Sequence, residues 1–259
     1  MKVVNGFILN LKSLHLKLIV MQLFNIPNLL TLINLFAGCM AILFVMGGNP
    51  EATLLCTVVS LVADFFDGMS ARALKVSSGI GKELDSLADV VSFGVVPGFI
   101  FKFLFFDALT THFPTLPDFW LTLISNLGFI FALFAALRLA KFNIDTRQSD
   151  GFIGLATPAA TIFVVGLYQL FNSNAYGLYN VVSIPYVLFT TFILLCFLMI
   201  AELPMFSFKF KNYGWKGNEL RFGFIAVCIL LLVVLKLVAL PLIILLYILT
   251  SIIQKQIAK

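Results

Sequence analysis

Charged side chains are scarce in this sequence: Lys, Arg, Asp and Glu together make up 11% of 259 residues, against 61% for hydrophobic types. With a mean hydropathy of +1.07 and no long polar stretch, a water-soluble globular domain is excluded. Histidine is nearly absent. His15 and His112 stand far apart, which argues against a catalytic dyad or triad built on that residue. Cys39, Cys56, Cys196 and Cys228 fall singly in apolar runs without metal-ligand spacing. Neither a disulfide framework nor a zinc site is expected, and these cysteines are read as small buried hydrophobes.

What is abundant is apolar sequence in windows of about twenty residues, each long enough to cross a hydrocarbon core of roughly 30 Å as a helix. The expected spans are 26–47, 52–74, 82–106, 119–140, 152–172, 184–205, 222–237 and 241–254. The last two are separated by "VLKLVALPL", where Pro241 marks either a tight turn or a kink in one long helix. The fold class is therefore an all-α polytopic membrane protein with about eight transmembrane helices. Residues 1–24 mix Leu, Ile and Val with Lys12, His15 and Lys17 at near-helical spacing, which predicts an interfacial amphipathic segment. Residues 25–259 are expected to form one integral membrane domain.

The basic residues are distributed asymmetrically. If the N-terminus is cytoplasmic, 15 of the 17 Lys and Arg residues fall on that side, and only Lys102 and Lys236 lie at or near the other. The positive-inside rule then puts both termini on the cytoplasmic face, in agreement with an even number of spans. A net charge of +5 is thus a matter of topology and of attraction to anionic membrane lipids, with no nucleic acid required.

Against this background the stretch "DFFDGMSARALKVSSGIGKELDSLAD" at 64–89 stands out, because its four aspartates are a third of the twelve acidic residues. Four carboxylates at helix-centre depth cost about 10 kcal/mol on insertion scales, so something must offset them. Asp64 and Asp67 are spaced i, i+3, and Asp85 and Asp89 i, i+4, so each pair occupies one helix face. Two antiparallel spans bring the pairs together. Facing carboxylates repel unless protonated or bridged by cations, and an all-oxygen ligand set without Cys or His favours Mg²⁺, Mn²⁺ or Ca²⁺ over Zn²⁺. Four carboxylates suit a two-metal site, an arrangement associated with displacement at phosphorus. Gly68, Ala71 and Gly81 remove bulk where a ligand approaches backbone, and Arg72 supplies a planar cation suited to a diphosphate.

The string D64-x₂-D67-G68-x₂-A71-R72-x₈-G81-x₃-D85-x₃-D89 resembles the signature of the CDP-alcohol phosphatidyltransferases at all its fixed positions. That resemblance implies a six-helix catalytic core, here followed by two C-terminal spans, a CDP-linked lipid donor, two divalent metals and an alcohol acceptor that displaces CMP. Further stretches, "IPNLLTLINLFAG" at 26–38, "ELDSLADVVSFGVVPG" at 83–98, "RLAKFNID" at 138–145 and "FIGLATPAA" at 152–160, look like the bacterial and archaeal phosphatidylserine synthase branch. The resemblance then implies CDP-diacylglycerol as donor, L-serine as acceptor, a homodimer and a multi-pass place in the cell (inner) membrane. It also implies that Asp64, Asp67 and Asp85 carry most of the metal coordination, while Asp89 completes the site and acts as catalytic base. Gly68, Ala71, Arg72 and Gly81 would hold the donor. Serine brings a carboxylate into the site, and Arg138, Lys141 and Asn143 are the candidates to receive it. Glycerol 3-phosphate and inositol are the alternative acceptors. From a different class, a small cation transporter would also use intramembrane aspartates.

Overall fold

A computed structural model describes residues 24–75, 79–145, 147, 152–206, 214–215 and 218–257. The expected amphipathic segment at 1–24 lies outside these but for Phe24. Helix α1 (Ile26–Met46) starts where Asn25 caps it, its side chain accepting from the Asn28 N–H at 2.9 Å. Pro27 follows in the first turn, where no backbone N–H is needed. At 21 residues α1 is about 31 Å long, enough to cross the apolar core. "GGNP" turns the chain, with Gly48 at φ +66°, and Asn49 caps α2 (Pro50–Leu74) in the same manner. The two helices pack against each other along their length.

The next stretch, Gly79–His112, is helical throughout but changes pitch. Helix α3 (Gly79–Val90) passes into a π-helical segment, Val91–Val95, and then into α4 (Val96–His112). Pro97 accounts for the local bonding. It has no N–H to give the Phe93 carbonyl four residues earlier, and the Thr161 hydroxyl donates there instead, at 3.1 Å. Helix α5 (Asp118–Asn126) runs through a 3₁₀ turn at Leu127–Phe129 into α6 (Ile130–Ile144). Gly128 is required at that turn, because a Cβ there would lie 2.5 Å from the Lys102 backbone nitrogen.

Helix α7 (Thr157–Ser173) is buried on nearly every face and sits among α2, α4 and a C-terminal helix. It begins five residues later than expected from hydropathy. Phe152–Ile153 instead forms strand β1, antiparallel to β2 (Pro204–Met205), with Phe152 opposite Met205. Gly154, at φ +78°, donates to the Leu203 carbonyl, and Leu155 donates to that of Leu198. The expected span 184–205 is shortened at its end by the same pairing. Beyond a short helix, α8 (Tyr179–Val182), α9 runs only from Pro185 to Ile200.

The C-terminal elements are α10 (Glu219–Leu235) and α11 (Ala239–Ile257). Lys236, at φ +53° and ψ −133°, breaks the helix, and a 3₁₀ turn follows. The rings of Phe224 and Tyr247 are 6.3 Å apart, whereas one straight helix would separate them by about 34 Å. The chain therefore folds back at Lys236, and Pro241 sits harmlessly in the first turn of α11.

Among the described residues, five stretches are long and apolar enough to cross a membrane: Ile26–Met46, Pro50–Leu74, Gly79–His112, Asp118–Ile144 and Glu219–Gln254, the last being the folded-back pair α10 and α11. A sixth is added if the pair Ala175–Val182 and Pro185–Ile200, bent by 86°, counts as one span. The architecture is an all-α membrane protein, and the expected count of eight is not reached on these criteria. Lipid tails are as apolar as Leu, so helix association relies on shape. Aromatic rings provide much of it: Phe101 meets Phe192 edge-on at 5.0 Å, Phe105 stacks on Phe189 at 4.2 Å, and Phe103 meets Tyr168 at 5.5 Å. Of the cysteines, only Cys196 is buried. Cys39 faces outward, which corrects the expectation of burial for all four.

Candidate active site

Helices α2 and α3 bring the aspartates together. One oxygen from each of Asp64, Asp67 and Asp85 lies within 4.8 Å of the others. Asp89, one turn beyond Asp85, stands outside that trio but beside Asp64. Asp67 and Asp89 are buried, at 6% and 8% exposure.

Helix α1 forms a third wall that the sequence reading did not single out. The Thr31 hydroxyl donates to Asp67 Oδ2 at 2.6 Å, and Asn34 Nδ2 donates to Asp89 Oδ1 at 3.1 Å. Being three residues apart, Thr31 and Asn34 share a face and reach one carboxylate from each pair. Asn34 is itself held: its backbone carbonyl accepts from Ser60 Oγ on α2 at 2.8 Å and from Ser92 Oγ in the π segment at 3.0 Å. The crossing is close because Gly38 has no side chain, and a Cβ there would collide with the Ser92 hydroxyl. Gly38→Ala is expected to lower stability by about 1–3 kcal/mol through overpacking. Thermal unfolding in detergent would register it as a lower Tm, and an unchanged Tm would mean that the α1 crossing adapts freely. The signal for this wall was present in "IPNLLTLINLFAG": an Asn and a Thr inside an apolar span need partners.

Beside the aspartates opens a cavity of about 420 Å³, of a size usual for small-molecule sites. Asp67, Asp85, Gly68, Ala71, Arg72 and Gly81 line it, so every residue expected to hold the donor borders this space. The nearest atom to a Cβ built on Gly68 is Arg72 Nη1 at 3.7 Å, so the glycine leaves room on the cavity side. Lys75 and Lys82 also line the cavity. Together with Arg72 they give it three cations, so Lys75 and Lys82 border the site besides adding to the positive-inside asymmetry.

The three residues expected to bind the acceptor part ways. Arg138 on α6 turns inward and is 6% exposed. Its guanidinium lies over the Phe142 ring at 5.7 Å and near enough to Asp89 and Tyr247 to interact electrostatically. Its Nε and Nη2 are buried without a hydrogen-bond partner. Lys141 pairs with Glu202 at 3.4 Å, and Asn143 Nδ2 donates to Ser86 Oγ at 2.7 Å. Those two stitch α6 to its neighbours.

The aspartate trio suits a hard divalent cation. Its donors are all oxygens, and Asp85 Oδ1 is buried with no protein partner, as a coordinating atom would be before its ion is counted.

Comparison with known proteins agrees with this chemistry. The family model for CDP-alcohol phosphatidyltransferase matches residues 24–201. A Helicobacter pylori protein named CDP-diacylglycerol–serine O-phosphatidyltransferase is 35% identical over 201 residues, covering 75% of this chain and 77% of that protein. Proteins of the same name are 35% identical in Bacillus subtilis, over 57% of this chain and 77% of theirs, and 38% identical in Methanocaldococcus jannaschii, over 59% and 64%. The matched region takes in all four aspartates, all three helices that wall the cavity and Arg138, and on that extent the chain belongs to the CDP-alcohol phosphatidyltransferase family.

Proposed function

We propose that this protein transfers the phosphatidyl group of CDP-diacylglycerol to L-serine, giving phosphatidylserine and CMP. The relatives' names support the donor and the acceptor. The observation that carries the serine reading is Arg138, a buried guanidinium with unpaired N–H groups beside Asp89. A buried cation of this kind suits an anionic group on the acceptor, and a serine carboxylate would supply it.

Asp64, Asp67 and Asp85, with Asp89 completing the set, would hold two divalent cations, Mg²⁺ or Mn²⁺, with Ca²⁺ also admitted by the ligand chemistry. When bound, they neutralise the diphosphate and the charge developing on the phosphoryl oxygens. Arg72, Lys75 and Lys82 face the same diphosphate from the protein side, while Gly68, Ala71 and Gly81 let it approach the backbone. Asp89 accepts the proton of the serine hydroxyl. The freed oxygen forms a bond to phosphorus as the bond to the CMP oxygen breaks, and CMP departs with that electron pair. No Ser, Cys or His among the described residues is poised beside the aspartates as a nucleophile, which favours direct displacement over a phosphatidyl-enzyme.

The proposal extends to a single integral domain over 25–259 that crosses the membrane eight times. It would be a homodimer in the cell (inner) membrane, with both termini and the active site cytoplasmic. The fold-back at Lys236 into two C-terminal helices and the positive-inside asymmetry support this placement.

The test is Arg138→Lys, which keeps the charge and loses the fork. It should raise the KM for L-serine well above any change in KM for CDP-diacylglycerol, with ethanolamine a poor acceptor for the unmodified protein. Equal KM changes for both substrates would remove Arg138 from the acceptor pocket.

A further inference from the structure

Asn34 Oδ1 is a second unpaired group next to the catalytic base. It is buried and has no hydrogen-bond partner, and Asn34 is 0% exposed. Its orientation is not free. The amide turns its NH₂ toward Asp89, Nδ2 donating to Oδ1 at 3.1 Å, and its oxygen away. Ser60 and Ser92 hold the Asn34 backbone carbonyl from two other helical segments, and the side chain they anchor is fully buried. A fixed acceptor thus stands on one side of Asp89, and Arg138, with fixed unpaired donors, stands near the same carboxylate. Buried polar groups are normally paired, and an orphan at a reaction centre points to a ligand that completes it.

A β-hydroxy amino acid carries three polar groups within a few ångströms: a hydroxyl, a carboxylate and an ammonium. On the reading given above, Asp89 takes the hydroxyl and Arg138 the carboxylate, which leaves the ammonium without a partner. We propose that Asn34 is a specificity-determining residue whose Oδ1 receives the acceptor's ammonium group, while its Nδ2 keeps Asp89 aimed at the hydroxyl. This rests on the serine reading. Three fixed points around one carbon also select one enantiomer of the acceptor.

The test compares L-serine with 3-hydroxypropionate, which has the hydroxyl and the carboxylate but no ammonium. A hydrogen bond to a charged group gives an expected preference for L-serine of roughly 10- to 100-fold in kcat/KM for the unmodified protein. In Asn34→Leu, of similar volume, that preference should collapse to about parity. Any misalignment of Asp89 slows both acceptors equally and cancels in the ratio. L-serine affinity measured calorimetrically in the presence of CMP should fall in parallel, with CMP affinity itself retained. A preference that persists in a CMP-binding Asn34→Leu protein overturns the inference, as does parity in the unmodified protein, which decides the matter should the variant not fold. If the unmodified protein accepts no L-serine at all, the serine reading itself has failed.

Discussion

Asp89→Asn is expected to lower phosphatidylserine formation by roughly 10²–10⁴-fold, the usual contribution of a positioned base, while CMP affinity is retained. The substitution is nearly isosteric. An amide oxygen at this position still accepts from Asn34 Nδ2, as the carboxylate does at 3.1 Å, so the side chain stays where it is. What disappears is its capacity to take a proton. The trio of Asp64, Asp67 and Asp85 does not include Asp89, and donor binding should therefore survive. Steady-state kinetics paired with CMP titration gives both numbers. A loss of CMP affinity as deep as that of Asp64→Asn would assign Asp89 to the metals alone.

Chelation should act more completely. With EDTA, turnover should cease, and Mg²⁺ or Mn²⁺ should restore it, because the carboxylates that gather around the cavity are hard oxygen donors. Asp85→Asn should reproduce the loss and weaken CMP binding as well. Asp85 Oδ1 has no protein partner, so its charge serves something outside the chain. The same variant should raise the Tm of the chelated protein, since it removes one of several mutually repelling carboxylates from a buried cluster. Full turnover in EDTA would contradict the metal reading. A lower Tm for chelated Asp85→Asn would mean that Asp85 supports the fold.

The aspartates were legible in the sequence because a carboxylate in an apolar helix is expensive and few other ionisable groups compete for notice. Ser60 and Ser92 were not. A hydroxyl in a membrane helix can satisfy itself on its own backbone, as Thr57 does on Thr53, so its presence carries no message until the crossing of α1 with α2 is known. Arg138 and Lys141, three residues apart, look alike in sequence, yet one is buried beside Asp89 and the other is paired to Glu202 at 3.4 Å. Only the packing of α6 separates them. Hydropathy also misplaced element ends for a physical reason: Phe152 and Ile153 extend an apolar run, yet their backbone pairs as a strand with the segment after α9 instead of continuing the helix. The break between the last two spans was legible in "VLKLVALPL", but the residue that makes it is Lys236, while Pro241 is accommodated in a first helical turn.

The central claim is that serine is the acceptor and the phosphatidyl group is what moves. Purified protein incubated with CDP-diacylglycerol, Mg²⁺ or Mn²⁺ and an equimolar mixture of L-serine, ethanolamine, glycerol 3-phosphate and inositol, with lipid products identified by mass, tests it directly. Phosphatidylserine should be the dominant new lipid, with CMP released in equal amount. Preferential formation of phosphatidylglycerol phosphate, phosphatidylinositol or phosphatidylethanolamine would contradict the assignment of serine, and release of no CMP with any acceptor would contradict the transfer itself.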